Sequence, residues 1–196
     1  IRLLLLTGSR RGEVLNARWD RFDLEAGVWT KPGSTTKQKT EHRVPLSAPA
    51  RQLLAGLYAK ADRGAVFVFP SKRPERTAAG PQEAPRSDIK KTWQTVCAAA
   101  GLVEARKVKG RDGKERTVIE PSARIHDLRH TYASLLASAG LSLPIIGALL
   151  GHSQPATTAR YAHLMDDPLR AATERVGALV MPSGDTAAVV PMKGGR

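Results

Sequence analysis

Cysteine is almost missing from this chain: Cys97 stands alone among 196 residues. No intrachain disulfide can form, which removes the stapled secreted scaffolds and fits a reducing cytoplasm. No apolar run approaches the ~20 residues that a membrane helix needs, and no secretion signal is visible. No segment repeats. Acidic residues are scarce: Asp and Glu number 18 against 31 Lys and Arg, for a net charge of +13 and a pI near 10.5. A surplus of that size on a small protein points to a polyanionic partner, usually nucleic acid; the plain alternative is a solvated basic surface kept for solubility. The hydrophobic fraction of 41% suffices for a packed core and excludes a disordered chain. The length fits one large domain or two small ones. The opening, IRLLLLTGSR, has neither a methionine nor a helix cap. It reads as a cut into a helix, so a preceding N-terminal part is expected.

The pattern along the chain predicts an α+β fold, mainly α. Residues 1–20 read as helix interrupted at Thr7-Gly8, with Ser9 able to cap a new helix. Two or three short antiparallel strands are expected across 27–46, where β-branched residues alternate with turn residues. A helix follows from Ala48, with Leu53, Leu54, Leu57 and Tyr58 at helical spacing. Residues 65–71 form a short buried segment. The proline-rich stretch 71–87 reads as loop, and Ser87 as the cap of the next helix. Two β-leaning arms flank Arg111-Asp112-Gly113, so a hairpin is expected at 104–119. It carries Arg106, Lys107, Lys109, Arg111, Lys114 and Arg116, which suit either a solvated charged ribbon or a finger that touches DNA. From Arg124 onward the pattern is helical. Helices end at Gly140 and Gly151, a short one runs through ATTARYAHL, and the last opens at Asp166-Asp167-Pro168. A catalytic domain over 1–182 and a loose tail at 183–196 are expected.

The stretch HDLRH at 126–130 concentrates chemistry. On a helix His126, Arg129 and His130 share a face while Leu128 points to the core. His-x-x-x-His is also zinc-ligand spacing. A cation between the ligands, no glutamate beside His126 and no obvious third ligand argue against a metal. Phosphate suits the set better: a guanidinium makes two parallel hydrogen bonds to phosphate oxygens, and imidazole adds a third. His130 could instead face the core or cap a loop. A second cluster lies in LGHSQPATTARYAHL, with His152 just past a helix-ending glycine and Tyr161 nine residues later. A phenol of pKa about 10 is a poor nucleophile; arginines and histidines around it would favour both the phenolate and the phosphate it attacks. By itself Tyr161 could be ordinary packing, and His152 a helix cap.

Together these residues resemble the tyrosine recombinase (phage integrase) family in its catalytic domain. The matching stretches are TGSRRGE at 7–13, KQKTEHRVPL at 37–46, HDLRH, LGH at 150–152 and Tyr161, in the family's order and spacing. The resemblance implies Arg10 as the first catalytic arginine with Glu13 as its supporting carboxylate. Lys37 is implied as the general acid, with Lys39 as the rival lysine. His126 and Arg129 match the second histidine–arginine pair, with His130 in support. His152 matches the later histidine, and Tyr161 the nucleophile. Ser9 stands where members carry a bulky apolar residue, a departure expected to affect packing alone. Contacts to duplex DNA are expected from Arg11, Lys39, Arg43, Arg106, Lys107, Lys109 and Arg111. The implied activity is strand cleavage and rejoining through a 3′-phosphotyrosine. No metal and no cofactor is expected, because cationic donors at the phosphate replace one. The family also implies a helical N-terminal domain, a cytoplasmic setting and a tetramer on paired sites that exchanges C-terminal segments; AATERVGALVM is apolar on one face and could instead pack on its own domain. A type IB topoisomerase shares the chemistry, and an inactive DNA-binding domain shares the charge.

Overall fold

The computed structural model describes residues 1–36, 39–77, 80–109 and 113–180. Lys37, Arg111 and the segment 183–196 lie outside them. The chain opens with α1, Arg2–Thr7, and α2, Arg11–Leu15. Between them Gly8 takes φ 60° and donates its N–H to the Leu4 carbonyl at 3.0 Å. A left-handed residue ends a helix and suits glycine; a Cβ here would also run into the Tyr132 ring. The cap of α2 is not Ser9, as the sequence suggests, but Arg10. Its extended backbone presents an N–H to the Glu13 carboxylate at 3.1 Å. Ser9 is drawn inward, 2% exposed, because its hydroxyl is engaged from within.

Three short strands follow: β1, Phe22–Asp23, β2, Val28–Lys31, and β3, His42–Pro45, antiparallel in the order β1-β2-β3. The sheet starts earlier than residue 27 because the Asp23 carboxylate accepts the Ala26 N–H at 2.7 Å and closes a turn into β2. Alternation turns Trp29 and Lys31 to the same buried face. Helix α3, Ala48–Tyr58, buries Leu54 completely, a burial that contributes ~2 kcal/mol. The 65–71 segment bridges back to Arg18 through Phe67 and buries Val68. The loop expected at 71–87 contains a small hairpin of β4, Glu75–Thr77, and β5, Gly80–Gln82. Pro81 is tolerated because each strand of a two-stranded ribbon is an edge.

Helix α4, Lys90–Ala99, is not capped by Ser87; the Asp88 carboxylate accepts the Lys90 N–H instead. The expected hairpin forms with longer arms: β6, Val103–Lys109, pairs with β7, Glu115–Pro121. Helices α5, Asp127–Ser138, α6, Leu143–Leu150, α7, Pro155–Ala159, and α8, Asp166–Val180, complete the described chain. The helix expected through 164 breaks at Tyr161, whose N–H reaches back three residues to the Thr158 carbonyl at 3.0 Å as its ring turns inward.

Two cores result. The first gathers Leu3, Leu4, Val14, Trp29, Val44 and Leu54; the second gathers Ala133, Ala137, Ile146, Leu150 and Tyr161. Helix α5 serves both: Leu128 packs on the first, as its spacing predicts, and Ala133 and Ala137 sit in the second. Helix α8 buries none of its residues and leaves Leu169, Val176, Leu179 and Val180 exposed. Among the described residues no helix is long and apolar enough to cross a membrane.

Candidate active site

Arg129 stands where the two cores meet. It is 5% exposed, and its two terminal nitrogens donate to the carbonyls of Gly8 at 2.8 Å and Leu150 at 2.7 Å. These carbonyls belong to the C-terminal ends of α1 and α6, where backbone acceptors lack helical partners and the dipole is negative. Gly8 lies two residues before Arg10, and Leu150 two before His152. One guanidinium therefore fixes the ends of two helices from which the first arginine and the last histidine project. Burial, with Arg10 nearby, pushes the Arg129 pKa down to about 10, so it keeps its charge at neutral pH. Its hydrogen bonds go to carbonyls, which leaves that charge available to an external anion.

Arg10 and Glu13 form the next layer. Arg10 Nη1 donates to Glu13 Oε1 at 2.9 Å, and Lys31 Nζ donates to Glu13 Oε2 at 2.7 Å. Lys31 Nζ also donates to Ser9 Oγ at 2.8 Å, and Ser9 in turn accepts from Thr7 Oγ1 at 2.9 Å. Ser9 thus does more than adjust packing, contrary to the expectation from sequence. Burial would push the Glu13 carboxyl up; the Lys31 charge and hydrogen bonds from Lys31 and Arg10 outweigh it and hold it below its ordinary value. Beside Arg10 and Glu13 opens a cleft of about 580 Å³, bordered by Arg18, Arg21, Trp29 and Lys31.

The imidazoles and the phenol face this charged layer. His126 stands at the N-cap position of α5, makes no side-chain capping bond and stays exposed; its ring meets His130 edge-on at 5.0 Å between centroids. His130 does not simply fill the core or cap a loop: its Nδ1 lies 2.7 Å from the Tyr161 hydroxyl. Burial, then the Arg160 charge, lowers the His130 pKa. His152 follows Gly151, which takes φ 67° and whose Cβ would press on the His42 ring. The His152 Nδ1 lies 2.9 Å from Thr158 Oγ1. If the threonine hydroxyl donates, Nε2 carries the ring proton and can donate to an oxyanion. Burial, then the charges of Arg129 and Arg10, pushes the His152 pKa down to about 4, which keeps the ring neutral in the physiological range. Tyr161 is 6% exposed. Burial raises its pKa while Arg160 and Arg129 pull it the other way.

Arg10, Glu13, Arg129, His130, His152 and Tyr161 are thus brought together from four separate stretches of chain, with His126 at the rim. The expected DNA contacts are spread outside. Arg11, Lys39 and Arg43 are exposed, and Lys39 takes φ 55°. Arg106, Lys107 and Lys109 are exposed on the β6–β7 ribbon, where Arg106 lies 3.7 Å from Glu120. Sequence reasoning passes over Lys31, Thr158 and His42. The signal for Lys31 is its place two residues after Trp29, on the apolar face of an alternating strand. His42 Nε2 contacts the Ala148 carbonyl at 2.9 Å and ties β3 to α6, which no local pattern foretells.

The chain belongs to the phage integrase family, whose sequence model matches residues 1–167. It is 27% identical over 174 residues to the integrase of Salmonella phage P22, covering 86% of this chain and 39% of that protein. It is 28% identical over 171 residues to the tyrosine recombinase XerD of Bifidobacterium longum, covering 86% of this chain and 50% of that one. It therefore spans half or less of these relatives. A structure of the Tn1549 transposon integrase in complex with transposon right-end DNA matches with a TM-score of 0.61 at 21% identity, over 90% of this chain and 57% of the other. At that identity the likeness is one of fold.

Proposed function

We propose that this chain is the catalytic domain, over residues 1–182, of a site-specific DNA recombinase that integrates or excises a mobile element. The observation that carries this reading is the Tyr161 hydroxyl 2.7 Å from His130 Nδ1, next in the chain to the buried Arg129. The Tyr161 oxygen attacks a DNA phosphorus and the bond to the 5′ oxygen breaks. The phenolic proton passes to His130, which its surroundings keep neutral. Lys37 gives a proton to the leaving 5′ oxygen. Arg10, Arg129 and the N–H of His152 meet the charge that builds on the non-bridging oxygens, and His126 closes the rim. Each such donor is typically worth ~3 kcal/mol. The phosphotyrosine keeps the bond energy, so rejoining reverses the same steps.

Exposed cations, among them Arg11, Lys39, Arg43, Arg106, Lys107 and Lys109, hold the duplex by its phosphates, and Arg111 is assigned the same part from its sequence. The working form is a tetramer on paired sites in the bacterial cytoplasm. The unpartnered apolar residues of α8 support an exchanged C-terminal segment. A nicked suicide duplex tests the reading: the wild-type chain becomes covalently attached to DNA, whereas Tyr161→Phe binds without attaching. An adduct in the Phe variant overturns the nucleophile. Relaxation of a supercoiled plasmid that needs no particular site would favour a topoisomerase instead.

A further inference from the structure

Among the described residues Lys31 is the buried cation that the reaction just described leaves unused. It ends β2 on the apolar face and is 3% exposed. An ammonium out of water is tolerated only with its donors satisfied. Nζ donates to Ser9 Oγ at 2.8 Å and to Glu13 Oε2 at 2.7 Å, and it lies 4.4 Å from the centre of the Trp29 ring. Such a complete set of partners deep beside Arg10 requires a reason beyond packing, since an apolar side chain would fill this face without the cost of desolvating a charge.

The reason lies in how Glu13 is shared. A carboxylate next to a guanidinium favours a two-pronged pairing that engages both of its oxygens and cancels the charge. Here Oε1 receives a single Arg10 nitrogen, and Oε2 is taken by Lys31 and the Arg10 backbone N–H. Arg10 is held at one point and the carboxylate is neutralised from behind. The rest of the guanidinium, with its side chain 28% exposed, stays free to face the pocket.

We propose that Lys31 is a positioning residue for strand cleavage: by binding Glu13 it keeps Arg10 from being captured by that carboxylate and leaves it aimed at the scissile phosphate. The proposal rests on the recombinase reading above. It also carries a pH signature. Burial pushes the Lys31 pKa down to about 8, against the pull of Glu13 and with further lowering from Arg129 and Arg10. His42 of β3 is the other titratable group that feels Lys31, and its own pKa is lowered by burial first. As pH rises through about 8 the ammonium is lost, Glu13 turns to Arg10, and cleavage slows.

The test is single-turnover cleavage of the suicide duplex by the full chain at pH 6 to 9.5, with DNA affinity and melting temperature measured alongside. Lys31→Met is expected to cleave about tenfold slower at pH 7 with DNA affinity retained, a smaller loss than the ~100-fold of deleting an oxyanion donor. Adding Glu13→Gln to Lys31→Met removes the charge to be neutralised, so the double variant matches Glu13→Gln alone. In Lys31→Arg, which does not titrate here, the decline near pH 8 disappears. Wild-type rate and pH profile in Lys31→Met, or losses that simply add in the double variant, overturn the proposal. If Lys31→Met does not fold, the double variant against Glu13→Gln decides, and a wild-type rate that stays flat through pH 8 also overturns it. Absence of any adduct with the wild-type chain would instead sink the recombinase reading itself.

Discussion

Cations occur in two settings in this molecule, and they behave as different materials. Around Arg129 they are buried or half-buried, each with fixed partners: two helix-end carbonyls for Arg129, one carboxylate oxygen for Arg10, and Ser9 with Glu13 for Lys31. On the β6–β7 ribbon they are exposed and interleaved with Glu104, Glu115 and Glu120, and the Arg106–Glu120 pair is long at 3.7 Å. Buried cations are costly to place and hard to move, so each has one job. Exposed ones are screened, mobile and interchangeable. The first setting suits a transition state held to a fraction of an ångström, and the second suits a phosphate backbone gripped anywhere along its length.

The sharpest way to break this contrast is Arg129→Met. It leaves the Gly8 and Leu150 carbonyls buried without a donor, which costs about 1–3 kcal/mol for each acceptor. It also removes the buried charge beside His130. Cleavage is expected to fall by roughly 1,000-fold, and the melting temperature to drop by roughly 10 °C, as read by calorimetry. Gly8→Ala comes next. Its left-handed backbone and the Tyr132 ring make the methyl strained, for a loss of about 1–2 kcal/mol. Because Gly8 positions both Arg10 and the Arg129 contact, cleavage slows as well. If stability dropped and the rate per folded molecule held, the proposed coupling between backbone and site would be wrong.

Acid acts first on the histidines around the site. His152 has a folded pKa of about 4 against an ordinary 6.5, and His42, His126 and His130 are lowered too. The unfolded chain therefore takes up protons first. Stability is expected to be full above pH 6.5 and to decline as pH falls towards 4. At the alkaline end the sign reverses. With Lys31 at about 8 when folded and 10.5 when unfolded, its contribution to stability rises between those values. A cleavage rate that declines above pH 8 while the melting temperature holds would separate loss of function from unfolding. The smallest effects belong to the ribbon. Lys107→Ala and Lys109→Ala should each change stability by less than about 0.5 kcal/mol. Each should lower the slope of log affinity against log salt by about one unit. A ribbon substitution that changed the cleavage rate at saturating DNA would place it in the inner class.

Much of the inner class is legible in the sequence, since the residues that project from helix ends sit in short local motifs. Gly8 and Gly151 mark where α1 and α6 stop, and HDLRH marks the start of α5. Lys31 was illegible for a reason of its own: its partners, Ser9 and Glu13, lie about twenty residues away, and only the sheet folding back on α2 brings them together. Tyr161 illustrates the opposite limit. Its place in the chain was plain, but the break between α7 and the next turn came from tertiary packing into the second core, which overrides a local helical pattern. The hairpin at 75–82 was hidden by prolines that a two-stranded edge accepts.

The most direct measurement is to trap the protein on a suicide duplex, digest the adduct with protease, and identify by mass spectrometry which residue carries the nucleotide. The account predicts a single modified peptide containing Tyr161, linked to a 3′ phosphate. A nucleotide on any other residue, or a link to a 5′ phosphate, would contradict it.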